Sequence, residues 1–398
     1  MHIDMAERKK APLGRERLLA LMGLVVAAFV FNTSEFMPVG LLSDIGASFG
    51  LSDAAAAVMI TVYAWAVALF SLPLMVWASR IEYKRLLLAM VALFAAGQVA
   101  SALAPAYPLL ICARLLVAFA HAIFWSIVMI MAAAVAGPEH EAQGLGMVAT
   151  GTSIAQICGM PLGRAVGLAV GWRMAFALVG VVALADLIFL ARFFPELPSP
   201  ERFTLSRLPG LLHNRPLVTL YVATVLMAGA HYVGYGYIEP YLAQVGGYDA
   251  GTITLLLIGF GAAGLLGSLL FSKTYEGHKQ RFLSTSCALV AAALLMLLPA
   301  ASAPALTICD LVVWGLALTS FGIAFQALII DLTDPQDSSV AMAAYSGLYN
   351  LGIGAGTALG GAALTTLGMP SLGFIGGAIA AAGALVMACV FLPRLARA

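Results

Sequence analysis

The stretch Phe29-Val30-Phe31-Asn32-Thr33-Ser34-Glu35-Phe36-Met37-Pro38 lies inside an apolar run, residues 18–41, that is long enough to cross a bilayer. Arg17 and Asp44 bracket this run, and Glu35 is the only formal charge in the 26 residues between them. A carboxylate at bilayer depth costs roughly 2.5–3.5 kcal/mol on insertion scales, so such a residue faces a bundle interior or a water-filled path. Two readings of Glu35 stand at this point. It is a structural carboxylate satisfied by a neighbouring helix, or it is a coupling or substrate-binding carboxylate with Asn32 beside it.

Composition extends that reading to the whole chain. Of 398 residues 62% are hydrophobic and 10% charged, against about 25% charged in soluble domains. Mean hydropathy is +0.99. Such a chain cannot cover a water-facing surface, and it reads as an all-α integral membrane protein. Its runs are too long and continuous for a membrane β-barrel, whose spans alternate over about ten residues. The net charge of +1 gives no nucleic-acid signal. Cys112, Cys158, Cys287, Cys309 and Cys389 are isolated in apolar runs with no metal-ligand spacing, and read as small buried apolar residues. Arg8, Lys9 and Lys10 precede the first run, but no small-residue cleavage signature follows it, so the run reads as a retained span.

Twelve spans are expected, over 18–41, 54–78, 86–104, 108–136, 144–170, 173–194, 216–243, 251–272, 282–301, 305–331, 339–364 and 370–392. Lys and Arg gather in the N-terminal tail, the 2–3, 6–7 and 8–9 links and the C-terminal tail, all on one side for this span count. The positive-inside rule makes that side cytoplasmic, with both termini inside. The exceptions are Arg114, Arg164 and Arg173. A link over 197–215, with Pro198, Pro200 and Pro209, divides an N-terminal six-helix half, 1–196, from a C-terminal one, 216–398. An offset of 197 places Ser153 on Asn350 and Gly159 on Gly356, and Glu35-x-x-Pro38 has a looser counterpart in Glu239-Pro240. The division is clearer than this residue alignment, since Gly, Ala and Leu dominate all spans. Two related six-helix halves suit alternating access around a central site.

Three polar clusters interrupt the spans. Span 7 carries His231-Tyr232-Val233-Gly234-Tyr235-Gly236-Tyr237-Ile238-Glu239-Pro240, with His231 and Tyr235 on one helical face. Aromatic faces with hydroxyls suit a sugar or another amphipathic solute; an interfacial aromatic belt is the competing reading. Span 4 places Arg114, His121 and Trp125 near one stripe. Trp125 is a stacking surface, and His121 is a proton carrier, a neutral donor or a core histidine. Span 5 has Gly159, Pro161 and Gly163, which permit close packing and bending. Gln326 and Asn350 are polar candidates in spans 10 and 11. Asp186 and Asp310 are set aside as nearer the ends of their spans. No zinc helix, phosphate loop or nucleophile elbow is present in the sequence. Without an ATP module, transport would draw on an ion or substrate gradient.

The chain resembles the major facilitator superfamily, and within it the bacterial sugar efflux transporters of the drug:proton antiporter branch. The resemblance rests on FNTSEFMPVGLLSDI from Phe31, TVYAWAVALFSLPLMV from Thr61, RLLVAFAHAIFWS from Arg114 and GMPLGRAVGLAVGWR from Gly159. The segment Ser79-Arg80-Ile81-Glu82-Tyr83-Lys84-Arg85 keeps the basic end of the family's 2–3 gating motif but lacks its glycine and aspartate. Gly159, Pro161 and Gly163 match the span-5 antiporter motif, whose double-glycine end is here Gly163-Arg164; this match favours export.

The resemblance implies twelve transmembrane helices in two pseudo-symmetric halves of the major facilitator fold, in a bacterial inner membrane. It implies proton-coupled efflux of arabinose, lactose-like sugars or thiogalactosides. Glu35, His121 and His231 are the proton-coupling candidates. Asn32, His121, Trp125, His231, Tyr232, Tyr235, Glu239, Gln326 and Asn350 are the substrate-binding candidates. Arg80, Arg85, Arg114, Gly159, Pro161 and Gly163 are the structural or gating ones. The expected partners are a small sugar, protons and the lipid bilayer, with no nucleic acid, cofactor or metal, and the chain is expected to be a monomer. An exporter of amphipathic drugs or metabolites on the same scaffold is the alternative, and a membrane-embedded enzyme lacks a visible site.

Overall fold

The computed structural model describes residues 13–78, 81–197, 208–334 and 337–395, and among them every regular element is helical. Arg80 of the expected gate, most of the 197–215 link and the N-terminal Arg8, Lys9 and Lys10 lie outside the described residues. Ten helices are long and apolar enough to cross a membrane: Arg15–Gly40, Asp53–Ala78, Tyr83–Leu103, Tyr107–Ala136, Gln143–Val170, Trp172–Phe193, Arg215–Gln244, Ala250–Ala300, Pro304–Asp331 and Met369–Leu395. Ala250–Ala300 is 51 residues and holds two spans, because the backbone leaves helical geometry at His278 (φ −145°, ψ 38°). The remaining span, Ser338–Leu367, dilutes its apolar residues with Tyr345, Ser346, Tyr349, Asn350 and a series of glycines. The expected twelve helices are therefore present, numbered below in chain order as spans 1–12.

Two spans differ from continuous rods. Span 1 stops at Gly40 and resumes as Leu42–Ser48. Span 7 stops at Tyr235 and resumes as Ile238–Gln244. The residue between the segments has nearly the same backbone in each half: φ −122°, ψ 17° at Leu41 and φ −124°, ψ 16° at Tyr237. The following turns also repeat. Gly50 and Gly247 take φ of 65° and 68°, Gly171 and Gly368 take 93° and 83°, and Ser52 and Asp249 cap the next helix with matching dihedrals. The two halves are thus built on one repeated frame. It aligns Glu35 with His231, each six residues before the break, and sets Glu239 opposite Ser43, which corrects the Glu35-to-Glu239 correspondence read from the sequence.

Packing follows the same frame. In the first half span 1 lies on span 5, span 2 on span 4 and span 3 on span 6; in the second, span 7 lies on span 11 and spans 8 and 9 on span 10. The halves meet through spans 2 and 11 and through spans 5 and 8. A two-fold that exchanges the halves turns each of these contacts into the other. Small residues at four-residue intervals make the span 1–5 seam: a Cβ on Gly151 would stand 2.8 Å from the Val25 carbonyl, one on Gly159 2.7 Å from Thr33 Oγ1, and one on Gly163 would overlap Met37. Gly352, Gly356 and Gly360 do the same for span 11 against span 7. Without a hydrophobic force between helices in lipid, this close backbone approach is the main source of attraction.

At the 2–3 link, Glu82 caps span 3 by accepting from the Lys84 and Arg85 N–H groups at 2.8 and 2.9 Å, and it also accepts from Leu197 N at 3.2 Å. Partial burial favours its neutral form, but the three backbone donors outweigh this and hold its carboxyl below the usual glutamate range. The Arg85 side chain itself is exposed.

Gly159→Leu is expected to push spans 1 and 5 apart and destabilise the fold by about 1–3 kcal/mol or more, read as a lower thermal unfolding midpoint in detergent. Glu82→Ala removes the span-3 cap at a cost of about 1 kcal/mol. Because the native carboxyl is depressed, the contribution of Glu82 is full above the ordinary glutamate pKa and is lost as pH falls through the lower native value. The stability gap between wild type and Glu82→Ala should therefore close on acidification.

Candidate functional site

The centre of the first half is organised by Arg114. Its guanidinium is 2% exposed and donates from Nη1 to Ser34 Oγ at 2.9 Å and from Nη2 to the Ser34 carbonyl at 3.0 Å. Gln98 of span 3 also donates to Ser34 Oγ. The flat cation stands over the Tyr63 ring at 4.6 Å and the Phe176 ring at 5.6 Å, so spans 2 and 6 supply π-faces where spans 1 and 3 supply polar atoms. Phe31 stacks between Phe94 (4.0 Å) and Phe124 (4.1 Å) and excludes water from the side facing span 3.

Glu35 follows Ser34, about 100° further round the helix. Its Oε2 lies 3.6 Å from His121 Nε2, an approach that becomes an ion pair only when the imidazole is protonated. The His121 ring stands edge-on to Tyr63 at 5.6 Å and lies 5.9 Å from Trp125. Glu35 is also in electrostatic reach of Arg114, and of Tyr232 and Tyr349 in the second half. One carboxylate is therefore surrounded by a fixed cation, a titratable imidazole and phenols from both halves.

The second half contributes an aromatic box. His231 stacks on Tyr235 at 4.6 Å, meets Tyr232 edge-on at 4.9 Å and Trp314 edge-on at 5.3 Å, with Phe260 at 6.4 Å. Tyr235 OH reaches Met160 Sδ of the first half at 3.6 Å. Span 7 holds this box because Gly234 leaves room for Trp314, where a Cβ would stand 3.2 Å from its ring. Tyr232 and Tyr235 are therefore buried ring faces at the junction of the halves rather than an interfacial belt.

Glu239 is not part of this centre. Its Oε1 pairs with Arg164 Nη1 at 3.0 Å and its Oε2 accepts from Ser43 N at 3.3 Å, with both side chains nearly fully buried. Arg164 Nη1 also donates to the Gly40 carbonyl at 2.5 Å. Asp53 extends the contact by accepting from Ser43 Oγ at 3.1 Å and Gln244 Nε2 at 2.8 Å. This ion pair ties the broken ends of spans 1 and 7 together at one end of the bundle. Other close cross-half approaches are Trp65 to Gly354, Ala68 to Gly347 and Ile157 to Gly261.

Of the remaining candidates, Asn32 spends its amide on the Ala28 carbonyl (3.2 Å), and Asn350 donates to Ser346 O (3.0 Å) while its buried Oδ1 has no partner. Gln326 is exposed and bonds its own helix at Gly322, away from the cluster. Gly159 and Gly163 lie on the seam with span 1, and Pro161 sits buried within a continuous helix. Tyr63, Gln98, Trp314 and Tyr349 escaped the sequence reading because each is an ordinary residue until a neighbouring span meets it. Arg164 did carry a signal, an arginine inside an apolar run. Asp186 and Asp310, set aside as near span ends, are in fact buried, 4% and 9% exposed.

A sequence profile of the Major Facilitator Superfamily matches residues 24–325 and, again, 220–398. The chain belongs to the Major Facilitator Superfamily. A solved structure described as a bacterial homolog of the human lysosomal transporter Spinster, inward-facing and unoccupied, shares the fold: 17% identity, 97% of this chain and 96% of that one, TM-score 0.69. This superfamily chain is accordingly a multi-pass membrane transporter and not an enzyme.

Removing one partner of a buried ion pair leaves an uncompensated charge, at a cost of about 3–5 kcal/mol. Arg164→Ala and Glu239→Ala are each expected to lower the unfolding midpoint, and the double variant to recover part of that loss. Additive effects in the double-mutant cycle would show that the pair contributes nothing specific.

Proposed function

We infer that this transporter exports small sugars from a bacterial cytoplasm in exchange for protons, by alternating access between its two halves. The observation that carries the reading is Glu35: a carboxylate at bilayer depth, beside His121 and Arg114 and in reach of phenols from both halves. Protonating Glu35 would free the positive charge of Arg114 and change the attraction between the halves. The span-5 Gly159-x-Pro161-x-Gly163 pattern supports export.

The positive-inside orientation supports cytoplasmic termini. In that orientation the Arg164–Glu239 contact lies at the outward end, which supports loading of the site from the cytoplasm. Sugar hydroxyls would bond Glu35, His121, Asn350 Oδ1 and the phenols, with Trp125 and Tyr235 offering ring faces. One chain with both halves forms the whole site, which supports a monomer. The density of stacked rings around His231 favours a second reading, export of amphipathic drugs or metabolites.

Proteoliposome counterflow with labelled arabinose, lactose and a cationic dye, with and without an imposed pH gradient, separates these readings. Sugar exchange accelerated by the gradient is expected; dye exchange without sugar exchange would favour the second reading, and no sugar movement under any gradient would sink the first. Glu35→Gln is expected to fold and to retain counterflow, while gradient-driven accumulation falls about tenfold or more. An unchanged response in that variant would move the proton elsewhere.

A further inference from the structure

The two spans joined at His278 line a cavity that the central site does not use. The backbone leaves helical geometry at His278, which separates span 8 from span 9, and both border one open cavity of 340 Å³. Span 10 completes it with Leu316 and Ser320. Spans 8 and 10 are locked together there. Ser320 Oγ donates to the Gly267 carbonyl at 3.4 Å, and a Cβ on Gly267 would overlap the Leu316 carbonyl. The cavity is thus a groove between packed helices.

Its two long walls repeat one order. From the 8–9 link inward, span 8 presents His278, Thr274 and Leu270, and span 9 presents Arg281, Thr285 and Leu289. Steps of four residues keep each set on one helical face. At a rise of 1.5 Å per residue, the distance from Arg281 to Leu289 carries the groove about 12 Å along span 9. Nitrogen donors therefore stand at the link, hydroxyls in the middle and leucines at the inner end. Leu270 is 42% exposed and continues into exposed Leu269, Leu266 and Leu265, so the inner end joins the apolar face of span 8.

The cations at this end are unequally satisfied. Lys279 Nζ bonds Asp331 Oδ2 at 2.9 Å, lies 3.5 Å from Glu276 Oε2 and stands over the Tyr275 ring at 5.3 Å. Arg281 is exposed, and among the described residues no ion pair or hydrogen bond holds its guanidinium. A guanidinium fork matches a phosphate bidentately. The orientation proposed above puts the 8–9 link at the cytoplasmic face, where anionic lipids attract basic side chains. A lipid there holds its phosphate at the rim and its chains inward, which is the order of the two walls.

We propose that this groove binds one anionic glycerophospholipid. Arg281 and His278 hold the phosphodiester, Thr274 and Thr285 meet the glycerol oxygens, and Leu270 and Leu289 meet the first methylenes. The volume is at the low end of the about 300–1,000 Å³ of small-molecule sites, which suits a headgroup and the upper chains with the remainder in the bilayer. The choice of the cytoplasmic leaflet rests on the proposed orientation; the binding rests on neither sugar export nor proton coupling.

The delipidated full chain in detergent is titrated with phosphatidylglycerol and with phosphatidylcholine of the same chains, and bound lipids are counted by native mass spectrometry. One phosphatidylglycerol is expected to bind about fivefold or more tightly than phosphatidylcholine, the effect of one basic side chain on an anionic headgroup. Arg281→Gln is expected to remove that preference, and Arg281→Lys to keep most of it. Lys273→Gln, which removes an exposed cation outside the groove, leaves it unchanged. Arg281 has no partner to lose, so an unchanged unfolding midpoint is expected in its variants. Leu289→Asn, on the inner wall, weakens both lipids. Equal affinity for the two lipids, or equal losses in Arg281→Gln and Lys273→Gln, overturns the proposal. Displacement of the lipid by inorganic phosphate alone would make this a soluble-anion site and overturns the lipid assignment. The readout is lipid affinity, so failure of sugar counterflow does not touch it.

Discussion

Arg114 is a permanent cation with almost no access to water, and the centre of the molecule is arranged around satisfying it. A guanidinium remains charged under all working conditions, so its donors must be met by the protein. Ser34 meets two of them, Gln98 braces Ser34, and Tyr63 and Phe176 cover the flat faces. Span 1 is thereby held in one register against spans 2, 3, 4 and 6. That register turns Glu35, the next residue, toward His121 and the opposite half. The carboxylate is placed by the cation's needs as much as by its own.

The second constraint is the close approach of spans 1 and 5 and of spans 7 and 11. Glycines at four-residue intervals bring the backbones so near that a methyl group on either seam would overlap its neighbour. These seams bind the spans within each half, and the halves meet through spans 2 and 11 and through spans 5 and 8. The Arg164–Glu239 pair closes one end of that joint. Its arginine directly follows Gly163 of the span 1–5 seam and so brings a charge to the end of span 1, where it meets Glu239.

The halves share a frame but not a chemistry. Matching dihedrals at the breaks and turns show that the backbone repeats, while the residues at equivalent places differ, a carboxylate at Glu35 and an imidazole at His231. Around Glu35 the permanent charge is positive; around His231 no permanent cation is present among the described residues, and the surroundings are rings. The wall around Glu35 is polar and the wall around His231 is aromatic.

Composition and periodicity alone determined the twelve spans and singled out Asn32-Thr33-Ser34-Glu35 as a polar interruption of the first. Bilayer insertion penalises each charge heavily, and so a lone carboxylate or arginine in an apolar run is visible without any neighbour. Arg114, His121 and His231 were legible for the same reason. Only tertiary structure could decide partners. Glu239 and Arg164 lie 75 positions apart in the chain and meet because span 5 packs beside the break of span 1, where Ser43 in turn meets Glu239 of span 7. Ser34 and Tyr63 matter because Arg114 arrives between them, and Gln326 does not join the centre because its helix face turns away. Asp310 was read as near a span end, although the sequence does not specify which side of span 10 is covered. Insertion energy is a property of one segment, and a single sequence carries it. The pairing of buried charges is a property of the space between segments, and only the folded bundle fixes that space.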